Sequence, residues 1–282
     1  MSVRLAALAA VLALVLLGAG LWRRGALTVP AGAARRSLAC YRVERMPPVP
    51  EAWWSQLRAR LDAAPTLSLL DPQASAIVSG LFQEVAWIDP ASVEVQARLP
   101  EGFRVLFLPR RPLLQLTDGP AVAAVVDRAG VVLPAGVPEA ALGELLAVPL
   151  DRNVTLPEAG RALADPLLAE ALRAAPEAYA LRQELGLDLA RIERQRDYPA
   201  EAPGVPPALS FVLRDGRSIL WGRSEAAGAT LTPPRARKEA RLRALLARYP
   251  QLHGVQTVVL DRERVRALDA SGADLPLPDP MP

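Results

Sequence analysis

The sequence predicts an α+β protein behind an apolar N-terminal segment, and three features predict it. Apolar side chains recur at helical spacing in several segments, residues 92–99 alternate apolar and polar as a half-buried strand does, and Asp215-Gly216 sits between two apolar runs as a hairpin turn does. With 282 residues, 51% hydrophobic and 22% charged, the chain can build one large or two small domains plus an accessory segment. The balance of 33 Lys+Arg against 30 Asp+Glu leaves +3, which is no nucleic-acid signature. All but one of these cations are Arg, Lys238 being the exception. One Cys, Cys40, and one His, His253, exclude a disulfide framework, a Cys/His dyad and a multi-His metal cage, each of which needs several such residues.

Residues 5–22 carry no charge and lie between Arg4 and the pair Arg23, Arg24. About 20 apolar helical residues span a bilayer core. The run, with Leu5, Leu12 and Leu16 along it and Trp22 at one interface, therefore predicts a transmembrane helix after a short tail of residues 1–4. A secretory signal peptide is the competing reading, because Ala31, Gly32 and Ala33 resemble an A-x-A cleavage site, although they lie far beyond the apolar run. The flanking arginines, counted by the positive-inside rule alone, would keep the C-terminal body in the cytoplasm. Residues 23–39 read as a linker, and a compact block begins near Cys40.

Within that block, Pro50 precedes a helix that carries Trp54, Leu57 and Leu61 on one face. Asp71-Pro72 marks a second helix start, with Val78, Leu81, Phe82 and Val85 at i, i+3, i+4 and i+7. Val93, Val95, Ala97 and Leu99 then form the apolar side of a half-buried strand; Pro100, Glu101 and Gly102 turn the chain, and residues 103–108, apolar on both sides, predict a central strand. A first strand near residues 41–43 would make the order β-α-α-β-β. After Pro112, residues 113–116 and 121–133 read as strands around a turn at Asp127 and Gly130. Helices are expected over 139–147 and 158–174, the latter broken or restarted at Asp165-Pro166. Residues 209–213 and 217–221 flank Asp215-Gly216 as a hairpin. Thr232 and Pro233 open a basic helix whose face carries Leu242, Leu245, Leu246 and Tyr249, residues 255–260 form a last strand, and the Pro- and Asp-rich tail from Ser271 reads as poorly ordered.

The candidate chemistry is thin. Asp261, Arg262, Glu263 and Arg264 read as a solvated strand end rather than a charged site. Arg235, Arg237, Lys238, Arg241, Arg243 and Arg248 read as the solvated back of a packed helix rather than a lipid or nucleic-acid surface. His253 has no partner in sequence, the Trp53-Trp54 pair reads as core, and no G-x-S-x-G, G-x-G-x-x-G or P-loop string occurs. No catalytic residue, cofactor, metal or small-molecule substrate is expected.

The strings WIDPASVEVQARLPEGFRVLFLPRRPLLQL and VVDRAGVVLPAG resemble the junction of the POTRA and β domains in the FtsQ/DivIB family of bitopic cell-division proteins. Trp87 and Ile88, Arg98 with Pro100, residues 110–112, and Asp127 with Gly130 carry the likeness. LSFVLRDGRSILWGR and VQTVVLDR resemble the family's later hairpin and last strand, although Trp221 stands where the family usually has Leu. The likeness covers residues 40–266. It implies a POTRA-like β-α-α-β-β domain over 40–111, a mixed β domain with a mostly antiparallel sheet over 112–266 and a disordered tail over 267–282. It further implies a non-enzymatic scaffold in the cell inner membrane, its body in the periplasm, docking FtsB- and FtsL-like proteins by strand addition at the sheet edge. The matching partner-binding residues are Thr257, Val258, Val259, Leu260, Asp261 and Arg262, with the region after Val265 as their extension. The alternative is a POTRA-containing periplasmic factor of protein secretion or outer-membrane assembly.

Overall fold

The computed structural model describes residues 35–36, 42–43, 49–98, 102–151, 154–195, 205–227 and 233–279. Cys40, Leu99, Pro100, Glu101 and Thr232 lie outside them, as do the anchor residues Leu5, Leu12, Leu16 and Trp22. Among the described residues no helix is long and apolar enough to cross a membrane. The chain is α+β and divides into two compact units, the first holding Ile88–Leu108 and the described residues up to Glu84, the second holding Val85–Trp87 and those from Pro109 onward.

The first unit runs β1 (Arg35–Arg36), β2 (Arg42–Val43), α1 (Glu51–Asp62), β3 (Leu67–Ser68), α2 (Ala74–Gln83), β4 (Glu94–Arg98) and β5 (Gly102–Leu106). β1 pairs with β3, while β5 lies parallel to β2 and antiparallel to β4 in a sheet ordered β2-β5-β4. Pro50 leads into α1, which buries Trp53, Trp54, Leu57 and Leu61. The Asp71 carboxylate accepts the Gln73 N–H at 2.9 Å, so Asp71-Pro72 makes a turn and the helix proper begins at Ala74. Phe107 joins both helices to the core, its ring centroid 6.0 Å from Trp54 and 5.6 Å from Phe82. β4 corrects an expectation: Val95 is only half-buried and Ala97 is exposed, because β4 is the outer strand and β5 takes the covered central position.

The second unit runs β6 (Leu114–Asp118), β7 (Ala121–Val126), α3 (Glu139–Leu142), β8 (Leu146–Pro149), α4 (Pro166–Leu185), β9 (Leu189–Arg194), β10 (Leu209–Leu213), β11 (Ser218–Gly222), α5 (Arg235–Arg248), β12 (Thr257–Val259) and β13 (Arg266–Leu268). They form an eight-stranded sheet ordered β13-β12-β11-β10-β9-β8-β6-β7. The pairs β6/β8, β8/β9 and β11/β12 are parallel and the rest antiparallel, so the sheet is mixed. Asp165 caps α4 by accepting the Leu168 N–H at 2.7 Å, Pro166 opens it, and Gly186 ends it with φ 65°, a conformation a side chain would resist. The small residues Ala171, Ala174 and Ala178 let α4 approach Leu114, Leu116, Phe211 and Trp221 in one core.

Three expectations fail in this unit. Residues 146–149 are the strand β8 rather than the end of a helix, since a four-residue apolar run reads alike in either state. The helix expected from residue 158 starts only at Pro166 and continues past residue 174 to Leu185. The third is the tail expected over 267–282: β13 reaches Leu268, and Leu275 and Leu277 pack against the core.

The turn after β7 rests on one buried carboxylate. Asp127 Oδ1 accepts the N–H groups of Ala129 at 2.8 Å and Val131 at 2.9 Å, and its Oδ2 accepts from Arg110 at 2.6 Å. Asp127→Ala strands two main-chain donors and a largely buried guanidinium, and is expected to cost about 3–5 kcal/mol in chemical denaturation. Asp127→Asn, which keeps the acceptor, loses clearly less.

Candidate functional site

The predicted partner-binding residues do not lie at the margin of the sheet. Thr257, Val258 and Val259 form β12, which pairs with β11 on one side (Ser218↔Thr257, Ile219↔Val258, Leu220↔Val259) and with β13 on the other (Thr257↔Leu268, Val258↔Ala267, Val259↔Arg266). Leu260 extends the first pairing, its N–H donating to the Leu220 carbonyl at 3.0 Å. With both rows occupied, β12 has no main-chain groups to offer an added strand. Of the remaining two positions, Asp261 is buried and Arg262 is exposed. The sheet edge lies one strand beyond these six residues, at β13, within the region after Val265.

The outer side of β13 is met by the chain itself. The Asp269 carboxylate accepts the N–H groups of Ser271 at 2.8 Å and Ala273 at 2.9 Å, turning the chain through Gly272, whose φ is 83°. Asp269 N–H donates to the Ala273 carbonyl at 3.0 Å, Leu275 N–H donates to the Ala267 carbonyl at 2.8 Å, and Leu268 bridges Asp274 antiparallel. Arg266 clasps Asp274 in a bidentate pair, Nε to Oδ1 at 2.8 Å and Nη2 to Oδ2 at 3.0 Å. The hydrogen bonds from the Arg266 guanidinium hold the Asp274 carboxyl below its usual range.

A second feature, unmarked by any motif, is a buried polar cluster where α4 and α5 meet the ends of β9, β11 and β12. Glu170, Glu177, Ser224, Lys238, Arg241 and Asp261 are each at most 5% exposed. Glu177 accepts from Trp221 Nε1 at 2.6 Å and from the Glu225 N–H at 3.0 Å, while Glu170 accepts from the Ser224 N–H at 2.6 Å. Lys238 Nζ donates to the Arg223 carbonyl at 2.9 Å and lies 4.9 Å from the centroid of the Trp221 ring. Arg241 donates to the carbonyls of Arg262 at 2.9 Å and Glu263 at 2.7 Å, fastening the loop between β12 and β13. Lys238, Arg241 and Asp261, read from sequence as solvated, are therefore internal. Lys238 and Arg241 stand at helical spacing with Leu242 and Leu245 on the buried face of α5, so it was their charge, not the period, that made them read as solvated.

This cluster braces the fold. Burial lowers the Lys238 pKa to about 8 against the opposing pull of Glu177, Asp261, Glu170 and Glu225. Asp261 Oδ1, Gln195 Oε1 and Ser224 Oγ are buried without a hydrogen-bond partner, sites that a bound water would satisfy. Among the described residues no three His, Cys, Asp or Glu side chains converge where a metal ion would sit. On the sheet face opposite α4 lies a cleft of about 260 Å³ lined by Gln115, Thr117, Val122, Ala147, Ala190 and Arg191. It is smaller than the roughly 300–1,000 Å³ of ordinary small-molecule pockets. Its flanking Arg191 and Arg214 are already paired with Glu193 and Asp188.

No family model and no curated protein matches the chain.

The depressed Lys238 pKa carries a sign. Between about 8 and 10.5 the unfolded chain holds a proton that the folded chain has released, so stability rises with pH across that window. Denaturation curves measured at several pH values across the window are expected to show that rise in the wild-type chain and its loss in Lys238→Met.

Proposed function

We propose that the chain is a non-enzymatic, single-pass scaffold of the cell-division machinery, similar to FtsQ/DivIB. Residues 5–22 anchor it in the inner membrane and its body stands in the periplasm. It docks the extracytoplasmic parts of FtsB- and FtsL-like proteins by strand addition at the C-terminal sheet edge, placed on β13. The observation that carries the reading is that the sheet ends at a short strand whose Ala267 main-chain groups point outward, met only by a brief return of the same chain. Main-chain bonds at such an edge supply affinity, and alternate side chains supply selectivity.

The order of the first unit supports it. β2, α1, α2, β4 and β5 follow the strand-helix-helix-strand-strand order that the resemblance implies for a POTRA domain, with the two-residue strands β1 and β3 added to it. The motif residues behind the resemblance also stand at structural turns: Asp127 with Gly130 after β7, and Asp215 with Gly216 between β10 and β11.

Two experiments test the reading. Ala267→Pro removes an outward N–H donor and is expected to weaken capture of the partners' extracytoplasmic segments at least tenfold. Unchanged capture by a variant with wild-type circular dichroism would reject strand addition at β13. Mass spectrometry of the amino terminus of chain recovered from membranes is expected to find residues 5–22 retained, and their removal would replace the anchor with a cleaved leader.

A further inference from the structure

The two ends of the eight-stranded sheet are closed by the same turn. At β7, Asp127 Oδ1 accepts the second and fourth following N–H groups, Asp127 N–H donates to the Val131 carbonyl at 3.1 Å, and Gly130 has φ 73°. At β13, Asp269 does the same with Ser271 and Ala273, and Gly272 has φ 83°. What the turns return to the sheet differs. After Asp127 comes Val131, Val132 and Leu133, all buried. After Asp269 comes Ala273 and Asp274, both exposed, with Leu275 half-buried. One return is buried in the core; the other is more exposed, seated on the edge by one bridge and one ion pair, with Leu275 and Leu277 packed against the core and the Tyr249 hydroxyl donating to the Pro276 carbonyl at 2.8 Å.

The geometry of that bridge says what the edge accepts. Ala273 and Leu275 turn their main-chain groups toward β13, so Asp274 turns its own away. The next residue on that outward row is Pro276, which has no N–H, so the returning segment offers a poor ladder for anything to add beyond it. A strand that docks here must replace the segment rather than extend it.

We propose that residues 273–275 are a built-in stand-in for the partner strand. The β13 margin takes an extended peptide, antiparallel to β13, that places a carboxylate against Arg266 with an aliphatic residue directly after it, and the chain's own Ala-Asp-Leu holds the place until such a peptide displaces it. This rests on the strand-addition reading of the margin and adds the chemistry of the occupant. The short turn through Gly272 keeps the segment at a high effective concentration, so only a strand with the same charge and apolar pattern competes well.

The test uses the full chain and a labelled synthetic peptide of residues 271–279, Ser-Gly-Ala-Asp-Leu-Pro-Leu-Pro-Asp. Asp274→Arg with Leu275→Pro removes the resident carboxylate and the Leu275 donor. Fluorescence polarisation is expected to show this variant binding the peptide at least tenfold more tightly than the intact chain, and adding Arg266→Glu is expected to abolish the binding. Equal peptide affinity of the intact and opened chains, with the fold retained, would overturn the proposal, as would binding that ignores Arg266→Glu. Hydrogen exchange on the intact chain gives a second reading that needs no variant. Leu275 N–H is expected to exchange at least a hundredfold faster than Val258 N–H, and equal protection would make the segment a permanent part of the sheet. Because the peptide is the chain's own sequence, these outcomes do not depend on any division protein. Peptide exchange without capture of such partners would sink the scaffold reading alone.

Discussion

Each strand of a sheet must find partners for its main-chain N–H and C=O groups, and an open eight-stranded sheet leaves two rows to be met. The second unit meets both by folding the chain back through an Asp-x-x-Gly turn. At β7 the return supplies Leu133 N–H to the Val125 carbonyl and a bridge from Val132 to Val126. At β13 it supplies Leu275 N–H and a bridge from Asp274. A carboxylate that gathers two main-chain donors is what makes so tight a reversal stable without other support. The difference in burial beyond the turn then separates a closed margin from an exchangeable one.

The opposite demand is met inside. α4 and α5 are held to the sheet partly by ionisable groups, an arrangement that is costly unless each is engaged. Trp221 is the centre of it: its indole N–H meets Glu177, its ring faces Lys238 and stacks on Phe211 at 5.1 Å. A Leu at position 221 would leave Glu177 without that donor and Lys238 without an aromatic face. Arg241 carries the same network to the loop that positions β13, so the internal brace and the sheet margin are joined through the carbonyls of Arg262 and Glu263.

Much of the fold was legible wherever one signal acted alone. The helix at Glu51–Asp62, the hairpin around Asp215-Gly216 and the turn at Asp127 each follow from local spacing or turn chemistry. β9 escaped notice because its sequence Leu-Ala-Arg-Ile-Glu-Arg alternates weakly, and Leu146–Pro149 was too short to tell from a helix end. β13 and its returning segment were hidden by composition, the Pro and Asp content of residues 269–279 reading as disorder. A signal was present all the same. Asp269 and Gly272 repeat the spacing of Asp127 and Gly130, and reading the second turn by the first would have found it.

By itself the sequence determined several elements, the helix at Glu51–Asp62 and the hairpin around Asp215-Gly216 among them, and the turn at Asp127, since these depend on contacts a few residues apart. Tertiary structure alone decided which strand is the margin, because that depends on what lies beside β12 and β13 in the sheet. It likewise decided that Lys238, Arg241 and Asp261 are interior. Lys238 and Arg241 share the helical face of Leu242 and Leu245, but the carbonyls of Arg223, Arg262 and Glu263 that let their charge be buried there come from segments distant in the chain.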